Sequence, residues 1–197
     1  MDLISDGTMN RSIEVVKETF PEINDIVDGD MKEKVAQVWL DAWKASSWEK
    51  LNDAPFDPTV PQVGLVEHVR AVVRAARNVA QIFSEAHKVS VDMDLLLMAA
   101  LLHDVSKVVE NEKKGGNYAK TKIGKLFPHG YYGAHMALNL KLPTEVAHLI
   151  ATHSHLAQRM VPQTLEGILL HYVDFCNADF LRMSNGLKTI LFMEQKK

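Results

Sequence analysis

The sequence predicts an all-α fold, and three observations carry that prediction. Beyond Pro61 apolar residues recur at helical spacing almost throughout, no stretch alternates apolar with polar residues as a half-buried strand does, and the connecting pieces are short. At 197 residues with 47% apolar side chains, the chain can bury a core of packed helices without disulfide or metal staples.

Taken in order, residues 1–7 carry no periodic pattern. Ser12, with Glu14 just behind it, opens the helical pattern Ile13-Val16-Phe20, which Pro21 interrupts. From Met31 to Leu51 a second pattern sets Val35, Val38, Trp39 and Trp43 at helical spacings with Lys and Asp between them, an amphipathic helix whose aromatic side reads as core packing. Asn52 to Pro61, with three prolines and two aspartates, is a loop and the clearest boundary in the chain. Val66, Val69, Val72, Val73, Ala76, Val79 and Ala80 then form one apolar stripe, with His68 beside it near the helix start. Asp92 or Asp94 is placed to cap the following helix, because a carboxylate there accepts from free backbone N–H groups.

Asn111 to Pro128 is rich in Lys and Gly and too polar for core. It reads either as a solvated loop or as a basic flap over an anionic substrate, with Gly115-Gly116 as its hinge. His129 opens a helix that runs to about Leu140, and Pro143 follows. Thr144 is expected to cap the next helix, whose apolar positions Val146, Ala147, Ile150 and Ala151 lead to His153. The last strong pattern, Leu165, Ile168, Leu169, Tyr172 and Val173, carries Asp174.

The composition excludes several functions. A net charge of −3 supplies no broad basic face, so no stable nucleic-acid complex is expected. The single cysteine, Cys176, rules out an intramolecular disulfide framework and an all-cysteine zinc site, and it suits a reducing cytoplasm, the compartment expected here. The acidic N-terminal residues do not make a signal peptide. The longest apolar run, around Leu95 to Leu102, falls far short of the ~20 residues needed to span a membrane.

Nine histidines are the one unusual count. Within Leu97-Met98-Ala99-Ala100-Leu101-Leu102-His103-Asp104-Val105-Ser106-Lys107, an apolar run delivers a His and an Asp side by side where water is scarce. Adjacent helical side chains diverge by ~100°, so the two converge only on a point between them, such as a metal ion. Lys107, four residues after His103 and three after Asp104, would share their face and set an ammonium beside that point. The plainer reading of Lys107 is a salt bridge that holds Asp104. Among the other histidines, His87 lies in a polar stretch and reads as solvated. His135 diverges from His129, and His155 points nearly opposite His153, so spacing alone does not choose between the members of either pair. His171, three before Asp174, is either a partner of a ligand or a packed polar residue.

The ordered set His68, His103-Asp104 and Asp174, with Leu101-Leu102-His103-Asp104-Val105-Ser106-Lys107 close to the form HD-x-x-K, resembles the HD superfamily of metal-dependent phosphohydrolases. His129-Gly130-x-x-Gly133-Ala134, Ile150-x-x-His153 and Tyr172-Val173-x-Asp174 are similar to segments of the HD-type bacterial symmetrical diadenosine tetraphosphate hydrolases. The resemblance spans about Leu65 to Asp179. It implies an HD-domain helical bundle over residues 61–197, with residues 1–60 as an extra N-terminal helical segment packing on it. There are departures. Val173-Asp174 stands where the family has Ala-Asp, no proline follows in Phe175-Cys176-Asn177-Ala178-Asp179, and the Gly-Tyr-Pro signature of cyclic-di-GMP phosphodiesterases is absent after His129, which argues against that substrate.

The resemblance further implies that His68, His103, Asp104 and Asp174 hold one divalent metal and that His129 and His153 add a second, with Asp104 bridging. Imidazole and carboxylate ligands without thiolate suit iron, manganese, cobalt, nickel or zinc, so one or two such ions are the expected cofactors. Asp104 and Lys107 are the catalytic candidates, and Lys120 and Lys122 the substrate-binding ones. The expected partner is a small phosphorylated substrate, hydrolysed at phosphorus by a metal-activated water. A homodimer is compatible with the sequence. Two other functions share the same residues: a di-iron oxygenase, and a regulatory module in which the metal is structural.

Overall fold

A computed structural model describes residues 11–154 and 160–191. The all-α expectation holds, with one small addition. Helix α1 (Ile13–Thr19) starts at Ser12, whose hydroxyl accepts from Val15 N, and a 3₁₀ turn over Pro21–Asp25 follows it. Helix α2 (Gly29–Lys44) begins earlier than its apolar pattern, because Asp28 accepts from Asp30 N and Met31 N. It ends at Lys44, short of the expected Leu51, where the Ser46 hydroxyl takes the Trp43 carbonyl and the chain turns away.

The long α3 (Leu65–His87) carries His68 in its first turns, and α4 (Met93–Leu102), capped by Asp92, runs through the centre of the core with its whole C-terminal half buried. Asp94 takes a different task, accepting from Val27 N and Asp28 N of the α2 entry. The predicted shared helical face for His103, Asp104 and Lys107 is corrected. Helix α4 stops at Leu102, His103 is its C-cap, and short i→i+3 backbone bonds from Val105 to Leu102 and from Lys107 to Asp104 form a turn before α5 (Lys107–Glu110). The three side chains converge through that turn.

The Lys-rich segment is not a plain loop. Asn111–Lys114 and Asn117–Lys120 pair as an antiparallel hairpin, β1 and β2, and Gly115 and Gly116 make its two-residue turn with φ of 56° and 86°. Two consecutive positive φ values are what a tight hairpin turn demands and glycine supplies without strain. The strands are short and mostly polar, so no alternation reveals them.

Helices α6 (Lys122–Leu126), α7 (His129–Asn139) and α8 (Thr144–Thr152) follow, with Pro143 rather than Thr144 in the capping position of α8. Thr164 caps α9 (Leu165–Ser184), which packs along α3 and α4. The α1–α2 region shares one apolar core with these helices, and its tryptophans reach into their backbone. Trp39 Nε1 donates to Leu101 O at 3.0 Å and Trp48 Nε1 to Val108 O at 2.9 Å, one on each side of the His103-Asp104 turn. Among the described residues no helix is long and apolar enough to cross a membrane.

Candidate metal centre

Helices α3, α7, α8 and α9 converge where α4 ends, and His103 and His153 arrive with their rings already oriented. His103 and His153 both sit at helix C-caps, where the last carbonyls lack intrahelical partners. Their Nδ1 atoms take those carbonyls, His103 on Ala100 O at 2.7 Å and His153 on Ile150 O at 2.6 Å. A carbonyl only accepts, so each Nδ1 carries a proton and each Nε2 turns inward. His129 comes from the first residue of α7, which lies close on α8: a Cβ on Gly130 would fall 2.8 Å from Ile150 O, and one on Gly133 would fall 3.1 Å from the Ile150 side chain. Glycine at these positions lets the two helices approach until His129 Nε2 is 3.1 Å from His153 Nε2.

Two sets result, and all six sequence-predicted ligands are in them. In the first, His68 Nε2 is 3.2 Å from His103 Nε2, 3.2 Å from Asp104 Oδ2 and 3.1 Å from Asp174 Oδ1, while His103 Nε2 is 3.4 Å and 3.5 Å from the same two oxygens. In the second, Asp104 Oδ1 is 3.4 Å from His129 Nε2 and 3.7 Å from His153 Nε2. Asp104 thus turns one oxygen to each set, and every one of these residues is buried.

This donor set fits divalent ions. Ligand atoms bound at about 2.1 Å to one ion stand roughly 3.0 Å apart in octahedral and 3.4 Å apart in tetrahedral geometry, close to the spacings observed. Although the Lys107 ammonium lies 2.7 Å from Asp104 Oδ2, neither oxygen of this buried carboxylate takes a hydrogen bond of good geometry. Buried acceptors left in that state are costly unless a cation faces them. The protonation equilibria point the same way. Burial alone would push His103 down, yet the Asp104 and Asp174 carboxylates push it up to about 10, so in a metal-free centre a proton on this ring stands in for the cation. Burial would raise Asp104, but Lys107 and His103 hold it well below the usual carboxylate range; hydrogen bonds from His103 and His68 do the same for Asp174 against its own burial. His129 is held well below the ordinary imidazole value by burial and by the nearby Lys107 and His153, which keeps it neutral and able to ligate.

Beside the centre a cavity of about 240 Å³ is walled by Phe56, Lys107, Glu110, Asn111, Lys120 and His129 among others. Lys107 is fixed there by Asp104 and by the Phe56 ring, 4.5 Å from its ammonium; burial would lower its pKa, but Asp104 raises it, so it stays charged. Lys120 is exposed at the rim, 3.5 Å from Glu110 Oε2, whereas Lys122, exposed at the start of α6, does not line the cavity. Glu110 Oε1 accepts from the Ser106 hydroxyl at 2.9 Å, and burial raises its pKa.

The bystanders separate cleanly. His135 is exposed and bonds Asn139, His148 Nε2 accepts from Gln163 N, and His87 is exposed beside Phe83. His171 Nδ1 lies 2.7 Å from the backbone carbonyl of His153, so it braces a ligand's main chain without joining the set. His155 lies outside the described residues. The sequence reading missed Phe56, whose ring lies tilted by 40° against His68 with centroids 4.2 Å apart, and Asn177, whose Oδ1 is 2.8 Å from His68 Nδ1. Asn177 had a signal, one helical turn beyond Asp174; Phe56, in the proline-rich loop, had none.

Comparison with known proteins adds a distant relative. Over 118 residues the chain is 27% identical to the dihydroneopterin 2′,3′-cyclic phosphate phosphodiesterase of Methanocaldococcus jannaschii, a stretch covering 56% of this chain and 45% of the relative, so less than half of that protein's length is matched. No solved structure gives a significant match. The family profile described as HD domain matches residues 65–179, from the start of the helix bearing His68 to just beyond Asp174 and more than half of the chain, and by that match this chain belongs to the HD domain family.

Proposed function

We propose that the chain is a metal-dependent phosphohydrolase that cleaves a phosphate ester or anhydride of a nucleotide or another small phosphorylated metabolite. The observation that carries this reading is the pair of buried His/Asp sets sharing Asp104, set against a cavity with a half-buried, charged lysine in its wall. His68, His103, Asp104 and Asp174 would hold one divalent ion, and His129, His153 and Asp104 a second. Bound there, such ions supply Lewis-acid activation of water and neutralisation of phosphoryl charge. Iron, manganese, cobalt, nickel and zinc all suit the donors.

The side chains around the ions divide the remaining work. Lys107, held between Asp104 and the Phe56 ring, places a fixed positive charge where the phosphoryl oxygens gain negative charge in the transition state. Its ion pair with Asp104 is how it is held, so the structural and catalytic readings of this lysine are compatible. Lys120 at the rim and Lys122 beyond it attract the anionic substrate through solvent. Lys120, 3.5 Å from Glu110 Oε2, offsets the negative charge that a phosphate would meet in the wall. The cavity, about 240 Å³, is below the ~300–1,000 Å³ of pockets that hold drug-sized ligands. That favours one small phosphorylated molecule over both halves of a dinucleoside tetraphosphate. The relative's name places a 2′,3′-cyclic phosphate first among the diesters to try.

The test is phosphate release or ring opening by the manganese-, cobalt- or iron-loaded protein on a panel of phosphomonoesters, 2′,3′-cyclic nucleotides and dinucleoside polyphosphates. Turnover that disappears in Asp104→Ala supports the reading. Oxygen consumption without hydrolysis would replace it with the di-iron oxygenase, and metal binding without any turnover would replace it with a regulatory module.

A further inference from the structure

The histidines of the first set do not hold their rings in the same way. His103 sits at the C-terminal end of a helix, where free carbonyls are abundant, and its Nδ1 takes one of them from its own last turn. His68 sits at the opposite kind of end. It lies in the first turns of α3, where the unpaired backbone groups are N–H donors and no carbonyl is free to accept from an imidazole. An acceptor for His68 Nδ1 has to come from elsewhere in the fold. It comes from α9, 109 residues away, as Asn177 Oδ1 at 2.8 Å.

The geometry points to Asn177 as a positioning residue that fixes His68 with Nδ1 protonated and Nε2 directed at the first metal, an inference that rests on the proposed metal-binding role of the cluster. Three contacts define the ring. Phe56 lies against its face, Asn177 takes Nδ1, and Nε2 meets Asp104 Oδ2 and Asp174 Oδ1 at 3.2 Å and 3.1 Å. Asn177 stands one turn after Asp174 on α9, so a single helical face supplies both a ligand and the group that aims a second ligand. The side-chain amide also does what a carboxylate would not. It accepts from the imidazole without adding a third negative charge beside Asp104 and Asp174. A ligating histidine whose other nitrogen lacks an acceptor loses its preferred tautomer and orientation, and outer partners of this kind typically change metal affinity by roughly 10- to 100-fold.

The experiment measures zinc affinity of the full chain by competition with a chromophoric chelator, together with the imidazole N–H protons of the zinc-loaded protein by NMR. Asn177→Leu removes the acceptor while keeping the branched skeleton of the side chain. Its surroundings tolerate an apolar side chain, because Asn177 also borders an apolar groove lined by Val79, Phe83 and Tyr172. The expected result is a fall in first-site affinity of about 10- to 100-fold and loss of the exchange-protected His68 Nδ1 proton, with the melting temperature of the metal-free protein unchanged. Asn177→Asp, which keeps an acceptor, should retain wild-type affinity or exceed it. Should Asn177→Leu fail to fold, Asn177→Ala makes the same deletion without bulk. Wild-type affinity in the Leu or Ala variant, or equal loss in the Asp variant, overturns the inference alone. A wild-type chain that binds no metal overturns the metal reading and this inference with it.

Discussion

The two halves of the centre are built from similar donors but are not equally closed. The first draws His68, His103, Asp104 and Asp174 from three separate regions of the fold, contains two carboxylates, and has every imidazole Nδ1 fixed by an acceptor. The second has two imidazoles and one oxygen borrowed from Asp104, so in ligand count the first half is closed and the second open, although His129 and Asp174 both reach the cavity, 11% and 12% exposed. Charge and ligand count favour retention at the first half and exchange at the second. The difference teaches that a shared carboxylate can join a closed site to an open one. Substrate would approach from the cavity, where Lys107 and Lys120 stand beside one residue of each half, Asp174 and His129.

Breaking the shared element should have the largest effect. Asp104→Ala removes an oxygen from each set and the partner of Lys107, so both metals and all turnover should be lost together; metal analysis alongside activity measures this. Breaking only the open half is gentler. His129→Ala or His153→Ala should lower metal stoichiometry from two toward one while the fold persists, read by metal analysis and circular dichroism. Equal loss of both metals would show that the halves are not separable. Lys107→Ala leaves all the metal ligands in place and should reduce kcat by on the order of 10²–10³ with little change in KM, because its charge acts where charge develops.

Protons sharpen the comparison further. In the metal-free centre the His103 pKa is pushed up to about 10 from 6.5, so the folded state holds this proton more tightly than the unfolded chain does. That contribution to metal-free stability is complete below pH 6.5 and is lost as pH rises through about 10. An arriving metal must displace the proton. Loading the closed half at pH 7 should therefore release about one proton, and apparent affinity should rise with pH up to that value, as titration calorimetry in buffers of different ionisation heat would report. His129 is held neutral, so loading the open half should release none from it. The smallest effect belongs to the rim: neutralising Lys120 and Lys122 together should raise KM severalfold at low salt, less at high salt, with kcat nearly unchanged.

The helices and the six metal-site candidates were legible because both leave local marks in a sequence. Apolar periodicity places Val69, Val72 and Val73 on one face of α3, and the His103-Asp104 pair stands at the end of an uninterrupted apolar run. The resemblance, not the spacing, separated His129 from His135 and His153 from His155. What the sequence hid depends on the turn geometry and on contacts between distant residues. The break after Leu102 is set by i→i+3 backbone bonds that any residues could make. The hairpin over 111–120 is mostly polar, with Tyr118 packed on the core, and shows only in its Gly-Gly turn. Phe56 and Asn177 act on His68 from elements that are neighbours of it only in three dimensions.

The indoles that clasp the backbone on either side of the His103-Asp104 turn give the protein an optical handle. All three tryptophans of the chain are buried in this region, Trp39 on Leu101, Trp48 on Val108, and Trp43 on the carbonyl of Trp48. Any rearrangement of the turn as the centre fills or empties must pass through two of their three N–H bonds. The emission wavelength of the unlabelled chain therefore reports on the ordering of the His103-Asp104 turn.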